Sequence, residues 1–278
     1  MINYLNKVTC GDCLDLLKEL PDASIDAVIT DPPYAEIKRD YGRLSESDWH
    51  TLMNAVVLEC RRVLKPTGSA MFVIQPNKEC IGRMRMWVWD FIAKWGREWG
   101  LVQDVYWWNY NAIPSSGCDR KYGLMRPSIK PCVWLGEADC YRNQNEVLWE
   151  EAEANIAYRN SSRFGRQSYL SGHSKDRYKI YQASVERGGV TPFNVLPITN
   201  SGTGDSAGEH GHGAGTPFKL CDWWVRYISP PESIVLDPFM GSGTVALACI
   251  KNNRQFIGFE KMLQYAELDN KRIVTGKP

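Results

Sequence analysis

The chain has 278 residues, which is long enough for one large domain or two small ones with an ample core. Its 33 Lys and Arg residues nearly balance 32 Asp and Glu residues, so contact with nucleic acid would need a local basic patch. No apolar run approaches the length of a membrane span, and the N-terminus has no signal-peptide pattern. Together with nine cysteines that follow no framework spacing, these features predict a protein of the reducing cytoplasm.

The sequence offers no complete set of metal ligands. Cys10 and Cys13 form a single C-x-x-C without a second pair or a nearby histidine. His210 and His212 lie two residues apart in a Gly/Ser-rich stretch, residues 200–216, which predicts a loop. We therefore predict no metal site and interpret the cysteines as buried or incidental thiols.

The chain begins with the pattern of a strand, a helix and a second strand. Residues 7–10 predict a short strand, the spacing of Leu14 and Leu17 predicts an amphipathic helix, and residues 25–30 predict a buried strand. A βαβ unit of this kind implies parallel strands with a right-handed crossover. Asp12, at the end of the first strand, is predicted either to cap the helix or to touch a ligand.

The buried strand stops at Asp31-Pro32-Pro33-Tyr34. Open α/β sheets bind their ligands at the carboxyl ends of such strands. The prolines fix φ and have no N–H, so the carbonyl groups around them have a set direction. Asp31 adds a second acceptor and Tyr34 a flat ring, which suits a planar substrate with an exocyclic amino group. The alternative is a simple strand-ending turn, because Asp and Pro are common turn residues.

The next hundred residues continue the alternation of helices and strands. We predict a helix from about Ser47 with Trp49, Leu52, Val56 and Leu58 inward, a turn at 65–68, a strand at 69–74, a helix over 81–99, and strands at 102–108 and 130–135. This order is typical of a doubly wound α/β domain.

A basic, aromatic-rich stretch follows where the regular pattern ends, after about residue 136. Positive side chains interleaved with tyrosines suit a phosphate backbone together with bases, whereas a solvated loop is the structural alternative. The predicted DNA contacts are Arg159, Arg163, Arg166, Lys175, Arg177 and Lys179, joined by Lys38 and Arg39 from the polar loop after Tyr34.

A second motif, residues 233–244, predicts a strand, a Gly-rich turn and the start of a helix. Glycines let the backbone approach a ligand closely, and Glu260 at the end of the next strand is placed to accept from ribose hydroxyls. This pattern favours a nucleoside-containing cofactor over a purely structural turn. No lysine follows the last glycine, which excludes a Walker phosphate loop, and the incomplete G-x-G-x-x-G spacing disfavours a nicotinamide site. Upstream, Thr216 is predicted to be the N-cap of a helix through Leu220 and Trp224.

Asp31-Pro32-Pro33-Tyr34 and the later Asp237-Pro238-Phe239-Met240-Gly241-Ser242-Gly243 together resemble the paired motifs of S-adenosylmethionine-dependent DNA amino-methyltransferases. Their order resembles the permuted β group of that family. The resemblance implies a doubly wound, mostly parallel, Rossmann-like α/β sheet. It also implies a catalytic half at 1–135, an inserted target recognition region at 136–199 and a cofactor-binding half at 200–278.

The resemblance also implies the roles of individual residues. Asp31, Pro32, Pro33 and Tyr34 would be catalytic: the Asp31 carboxylate and the Pro32 carbonyl would hold the target amino group, and Tyr34 would stack on the flipped base. The residues implied for S-adenosylmethionine are Asp12, Thr216, Phe218, Asp237, Phe239, Gly241, Ser242, Gly243, Thr244 and Glu260.

The expected substrate is adenine N6 in double-stranded DNA, because Asp at the first motif position resembles adenine enzymes whereas cytosine-N4 enzymes tend to have Ser there. Cytosine-N4 is the alternative. The resemblance permits a homodimer and a cognate restriction endonuclease, and it implies the bacterial nucleoid or a phage-infected cell. Two other classes are a nicotinamide-dependent oxidoreductase, which leaves Asp31 to Tyr34 without a role, and a nucleic-acid-binding module that has lost its activity.

Overall fold

The protein is described here by a computed structural model, which covers residues 2–39, 42–79, 82–110, 121–125, 127–150, 183, 186–199 and 215–275. The chain divides into a larger unit, Met1–Arg142 with Asn194–Pro278, and a smaller unit, Asn143–Phe193. The predicted DNA contacts Arg159, Arg163, Arg166, Lys175, Arg177 and Lys179 lie outside the described residues.

The larger unit is built on a sheet whose eight strands, among the described residues, have the order β1-β10-β9-β2-β3-β7-β6-β8. The strands of this sheet are β1 Lys7–Cys10, β2 Ile25–Thr30, β3 Leu64–Val73, β6 Leu101–Trp108, β7 Ile129–Gly136, β8 Val195–Pro197, β9 Ile234–Asp237 and β10 Gln255–Glu260. Two short strands, β4 Lys78–Glu79 and β5 Arg83–Met84, form a separate antiparallel pair. In the sheet order, β1, β10, β9, β2 and β3 each run parallel to the next strand, and β6 runs parallel to β8. Strand β7 is antiparallel to both β3 and β6. The prediction of a mostly parallel α/β sheet is confirmed.

The helices pack on both faces of this sheet. They are α1 Cys13–Lys18, α2 Glu46–Val63, α3 Trp87–Trp95, α4 Phe218–Ile228, α5 Thr244–Lys251 and α6 Leu263–Thr275. Along β7, Val133 and Leu135 join the apolar core formed with α1, α2 and α3, whereas Trp134 between them has its ring centroid 5.7 Å from that of Trp224 in α4. Successive strand residues point to opposite faces, so the sheet is covered on both sides.

Trp49 lies at the centre of the core beside the sheet and connects it to the first motif. Its ring centroid is 4.4 Å from that of Trp87 and 5.2 Å from that of Phe91. Its side chain is fully buried, and its Nε1 donates to the Pro33 carbonyl at 2.6 Å. Packing of α2 and α3 therefore fixes the backbone that follows β2.

Several predicted elements are confirmed and others are wrong. The strands at 7–10 and 25–30 have the predicted bounds. The predicted turn at 65–68 is instead part of β3, which pairs with β2 through a register shift after Ile25. Leu58 is exposed rather than inward, and the predicted helix over 81–99 begins only at Trp87.

The smaller unit is described through a few contacts of its own. The backbones of Trp149 and Val190 exchange hydrogen bonds of 3.0 and 2.9 Å, and the ring centroids of Trp149 and Phe193 are 5.4 Å apart. Arg187 Nη1 donates to Gln144 Oε1 at 2.8 Å. Along the described part of the whole chain, no helix combines the length and the apolar character needed to cross a bilayer.

Candidate active site

The two sequence motifs meet because their strands are neighbours. β2 and β9 run parallel with Ala27 opposite Val235 and Val28 opposite Leu236, so both strands end at the same edge of the sheet. At that edge Thr30 Oγ1 donates to Asp237 Oδ1 at 2.5 Å. A cavity of about 570 Å³ opens there.

Most of the predicted site residues in the described part of the chain line this cavity. They are Asp12, Asp31, Pro32, Pro33, Tyr34, Lys38, Arg39, Thr216, Asp237, Phe239, Gly241, Ser242, Thr244 and Glu260. Gly243 is absent from the cavity wall although its neighbours in the turn line it. Phe218 is also absent from the cavity wall: it is the first residue of α4, and Lys251 Nζ lies 5.0 Å from its ring centroid. The predicted contact of Phe218 with the cofactor stays a prediction.

Asp31 accepts hydrogen bonds from two hydroxyl groups. Its Oδ1 accepts from Tyr34, three residues later, and its Oδ2 accepts from Thr216 Oγ1 at 2.6 Å. The prediction that Thr216 caps α4 is wrong: the N-cap position is Pro217, which has no side-chain hydrogen bond. The hydroxyl of Thr216 is thereby free to orient the carboxylate. A carboxylate with one donor on each oxygen has a fixed plane and retains further lone pairs.

The carbonyl groups around the two prolines have different partners. The Pro33 carbonyl accepts from Trp49, and the Ala35 carbonyl accepts from Asn77 Nδ2 at 2.6 Å. Pro32 lines the cavity, and its carbonyl has no hydrogen-bond donor among the described residues. One acceptor of the motif is therefore left for a ligand, beside the Asp31 carboxylate.

The Gly-rich turn is held by backbone contacts and by Glu260. Gly241 N donates to Glu260 Oε2 at 3.1 Å, and Met262 N donates to Oε1 at 2.8 Å. These peptide groups orient the carboxylate, which keeps lone pairs toward the cavity. Gly243 has φ +70°, a left-handed conformation that residues with a Cβ rarely adopt, so the turn needs glycine at this position.

Two buried acids beneath this turn have strongly raised pKa values. Burial raises the pKa of Asp237 to about 7, helped by the charges of Asp31 and Glu260 and opposed by hydrogen bonds from Thr30 and the Phe239 N–H. Burial also raises the pKa of Asp269 to about 8. These raised pKa values mean that the two carboxyls carry less negative charge near neutral pH than ordinary aspartates would.

Asp12 combines the two roles that the sequence left open. Its Oδ1 accepts from Leu14 N at 3.0 Å and caps α1, while the residue also lines the cavity. Lys261 Nζ lies 3.7 Å from the other carboxylate oxygen. Capping and access to a ligand are therefore compatible at this position.

Lys130 is, like Lys261, a charged cavity residue that sequence reasoning missed. It lies near the start of β7, and its Nζ is 3.4 Å from the Tyr34 hydroxyl oxygen. Burial lowers its pKa, against the opposing effect of the Asp31 charge. A lysine at the start of an otherwise apolar strand was the available signal, but no motif pointed to it.

Residues 25–271 match the DNA methylase family of N6/N4 methyltransferases. The chain belongs to this family. The expected activity, DNA methyl transfer, is confirmed at that level, as is S-adenosylmethionine as the cofactor. The nicotinamide-dependent oxidoreductase is thereby set aside.

Relatives in this family agree with the fold and differ in base. The chain is 27% identical to the type II methyltransferase M.PvuII of Proteus hauseri, over 92% of this chain and 80% of the relative. It is also 27% identical to the DNA adenine methyltransferase YhdJ of Escherichia coli (strain K12), over 98% and 83%. The solved PvuII DNA methyltransferase, described as cytosine-N4-specific, has a TM-score of 0.71 at 20% identity, covering 98% of this chain and 92% of that one. The M1.HpyAVI–SAM complex has a TM-score of 0.59 at 19% identity, covering 96% and 98%.

Proposed function

We propose that this DNA methyltransferase methylates the exocyclic N6 of adenine in double-stranded DNA. The observation that carries the proposal is the pair of acceptors at the end of β2. The oriented Asp31 carboxylate and the unengaged Pro32 carbonyl line one cavity together with Glu260 and the Gly-rich turn. An amino group with two N–H bonds is the complement of two such acceptors.

The cofactor-binding half of the cavity fits S-adenosylmethionine. Its volume of about 570 Å³ lies in the range of small-molecule sites, roughly 300–1,000 Å³. We assign the Glu260 carboxylate to the ribose hydroxyls, the half-buried Phe239 ring to the adenine, and the backbone of Gly241 and Ser242 to the rest. When bound, S-adenosylmethionine supplies a methyl group activated by its positive sulfur.

The catalytic half prepares the target nitrogen. The amino group of adenine is a poor nucleophile, because its lone pair is delocalised into the ring. Hydrogen bonds from its two N–H groups to the Asp31 carboxylate and the Pro32 carbonyl favour a pyramidal nitrogen with a localised lone pair. Fixed acceptors and close positioning supply most of the rate. The methylated nitrogen is strongly acidic, so Asp31 or water takes its proton without a specially tuned base.

The target base must leave the duplex to reach this cavity, and we assign Tyr34 to stack on it. Lys38 and Arg39, which also line the cavity, are assigned to the phosphates beside the flipped nucleotide. We assign target recognition to the region 136–199 predicted from the sequence, which includes the smaller unit Asn143–Phe193.

The order of the motifs supports the permuted β group. The catalytic strand β2 precedes the cofactor strand β9 in the chain, although the two are neighbours in the sheet. This assigns residues 1–135 to the catalytic half and 200–278 to the cofactor-binding half. Type II relatives support a cognate restriction endonuclease in a bacterial cell, and we extend the proposal to a homodimer from the resemblance alone.

Cytosine N4 is the second candidate substrate. It is favoured by the similarity to PvuII methyltransferase, whose description specifies cytosine N4. Adenine is preferred because the first residue of the catalytic motif is Asp31, which resembles adenine enzymes. Both bases present an amino group next to a ring nitrogen, so the chemistry at Asp31 serves either one.

Long-read sequencing of DNA from cells that express the protein would test the proposal, in a host without other DNA methylation. For the wild type we expect N6-methyladenine at one recurring sequence. Asp31→Ala should abolish this methylation. The amount of S-adenosylmethionine that the variant retains should change by less than about threefold, since Asp31 is assigned to the base. Asp15→Ala is the matched control, because Asp15 is exposed and, among the described residues, its one ion pair is with the exposed Lys18 at 3.5 Å. N4-methylcytosine would instead establish the second candidate. A folded, cofactor-binding wild-type protein that leaves all DNA unmethylated would overturn both.

A further inference from the structure

Lys130 is a charged residue of the cavity to which the proposed function assigns no role. Its ammonium lies over two aromatic rings, with Nζ 4.7 Å from the ring centroid of Trp107 and 5.5 Å from that of Tyr34. The residue lines the cavity together with Asp31 and Pro32. It therefore stands on the base side of the site, where the cofactor assignment gives it no task.

Lys130 has more donors than partners. A protonated lysine has three N–H donors, and the described residues offer it one hydrogen-bond acceptor, the Tyr34 hydroxyl at 3.4 Å. No carboxylate within the described residues forms an ion pair with it. Although its surface is only half-buried, enough protein surrounds the ammonium to lower its pKa. Its remaining donors are therefore available to an acceptor on a ligand that enters the cavity.

The hydrogen bonds around Lys130 define where that acceptor would lie. Lys130 donates to the Tyr34 oxygen, and Tyr34 in turn donates to Asp31. The side chain of Tyr34 thus links the ammonium to the Asp31 carboxylate, which is assigned to receive the target amine. Both adenine and cytosine carry, directly beside that amine, a ring nitrogen with a lone pair in the plane of the base.

We propose that Lys130 donates a hydrogen bond to the ring nitrogen adjacent to the target amine, N1 of adenine or N3 of cytosine, and so fixes the base in its plane. The inference rests on the proposed function. Lys130 would make the amine reactive only indirectly, by setting the angle at which it meets Asp31 and the Pro32 carbonyl. Hydrogen bonds to charged groups of this kind are strong enough to account for a ten- to hundredfold effect on rate.

A cycle of protein and base substitutions tests the contact directly. The substrates are duplexes that contain the methylated site with either adenine or 1-deazaadenine at the target, and 3-deazacytosine takes its place if the enzyme methylates cytosine. For the wild type we expect kcat/KM to fall by about ten- to a hundredfold on removal of the ring nitrogen. Lys130→Met should lose a similar factor on the normal base and then show a deaza penalty at least about tenfold smaller than that of the wild type.

The cycle separates a base contact from a structural role. A deazabase also alters the intrinsic reactivity of the amine, but this part of the penalty is the same in both proteins and cancels. If Lys130 only supported Tyr34, the deaza penalty would be equal in the wild type and in Lys130→Met, which would overturn the inference. Lys130→Arg, which keeps donors on a longer side chain, covers the case in which Lys130→Met does not fold.

Lys94→Met is the matched control. Lys94 is another half-buried lysine over a tryptophan, with Nζ 4.9 Å from the ring centroid of Trp95, but it does not line the cavity. We expect it to keep the wild-type rate and the wild-type deaza penalty. Methylation by the wild type that is indifferent to the ring nitrogen would overturn this inference alone. A wild type without any methylation would overturn the proposed function and the inference with it.

Discussion

Asp31 is oriented before any substrate arrives. One oxygen accepts from Tyr34 and the other accepts from Thr216, which is 185 positions away in the sequence. A preoriented acceptor needs no rearrangement when the amino group binds, and such preorganisation commonly contributes more to catalysis than any other single effect. We therefore expect the hydroxyl of Thr216, which also lies in the cavity wall, to contribute to rate through Asp31.

Thr216→Val tests this arrangement at one hydroxyl. The substitution keeps the shape of the side chain but removes the donor to Asp31 Oδ2, so we expect kcat to fall about tenfold, the scale of a hydrogen bond to a charged group. Thr216→Ser restores the hydroxyl and should recover kcat to within about threefold. Steady-state methylation kinetics measure both variants. A serine variant as impaired as the valine variant would assign the effect to packing instead.

At the scale of elements, the last helix α6 supports the Gly-rich turn. Arg272 Nη1 donates to the Ser242 carbonyl, and Asp269 packs against Gly243. The Oδ2 of Asp269 has no hydrogen-bond partner among the described residues, although the side chain is almost fully buried. A charged Asp269 at this position is costly, which agrees with the raised pKa of its carboxyl.

Asp269→Asn predicts a change in how stability depends on pH. In the unfolded chain an aspartate titrates near pH 4, whereas the folded pKa of Asp269 is about 8. Between these values the folded protein binds the extra proton, so the contribution of Asp269 to the free energy of unfolding falls as pH rises and is constant above about pH 8. Asparagine cannot ionise, so the Tm of the variant minus that of the wild type should increase from pH 5 to pH 9.

Asp222→Asn is the control with the opposite sign. Burial disfavours the charge of Asp222, but hydrogen bonds from Asn252 and Lys251 and the charge of Arg226 outweigh it and lower its pKa. Its stabilising effect is lost only in acid, so the Tm difference of this variant should be constant from pH 5 to pH 9. A constant difference for Asp269→Asn as well would contradict its raised pKa.

Local sequence patterns predicted those strands well that are buried apolar runs in the parallel part of the sheet. The strands at 25–30 and 234–237 are apolar runs that end in motif residues, and the parallel sheet aligned those ends as expected. The turn predicted at 65–68 failed because Pro66 and Gly68 belong to a strand whose pairing with β2 is irregular. Pairing with a neighbouring strand determined the conformation of that segment, and such pairing cannot be predicted from local residue preferences.

In the candidate site, too, features set by local sequence could be predicted, whereas features set by contacts between distant segments could not. Motif residues near strand ends could be predicted, because two strands carry the chemistry on consecutive residues. The contacts of Thr216 with Asp31 and of Lys130 with Tyr34 could not be predicted, because the fold brings together residues that are far apart in the sequence. Phe218 was predicted from its position in the chain, and in the structure it is the first residue of α4 and is absent from the cavity wall.

At the scale of the whole molecule, the charges are balanced, and DNA binding must come from a local patch. The net charge is only +1, so no overall field draws the protein to a polyanion. The predicted patch is the basic stretch of residues 159–179 and the pair Lys38 and Arg39. The contribution of each cation to DNA binding is then a short-range contact with phosphate, which salt weakens by counterion release.

The double variant Arg163→Gln/Arg166→Gln tests that contribution through the dependence of DNA affinity on salt concentration. Each lost phosphate contact lowers the slope of log Kd against log salt concentration by about 1, so the double variant should lower it by about 2. Fluorescence anisotropy on a duplex from 50 to 300 mM salt, about the range where such slopes are resolved, gives the slope. Retention of S-adenosylmethionine should be unchanged, because the cofactor assignment places neither arginine at the cavity.

The paired control, Lys18→Gln/Lys271→Gln, removes the same charge from two exposed residues that do not line the cavity. If net charge governed binding, both double variants would shift the slope equally, since each changes the total by the same amount. If contact governs it, the arginine variant changes the slope and the lysine variant leaves it as in the wild type. Equal slopes for the arginine variant and the wild type would place the phosphate contacts elsewhere in the chain.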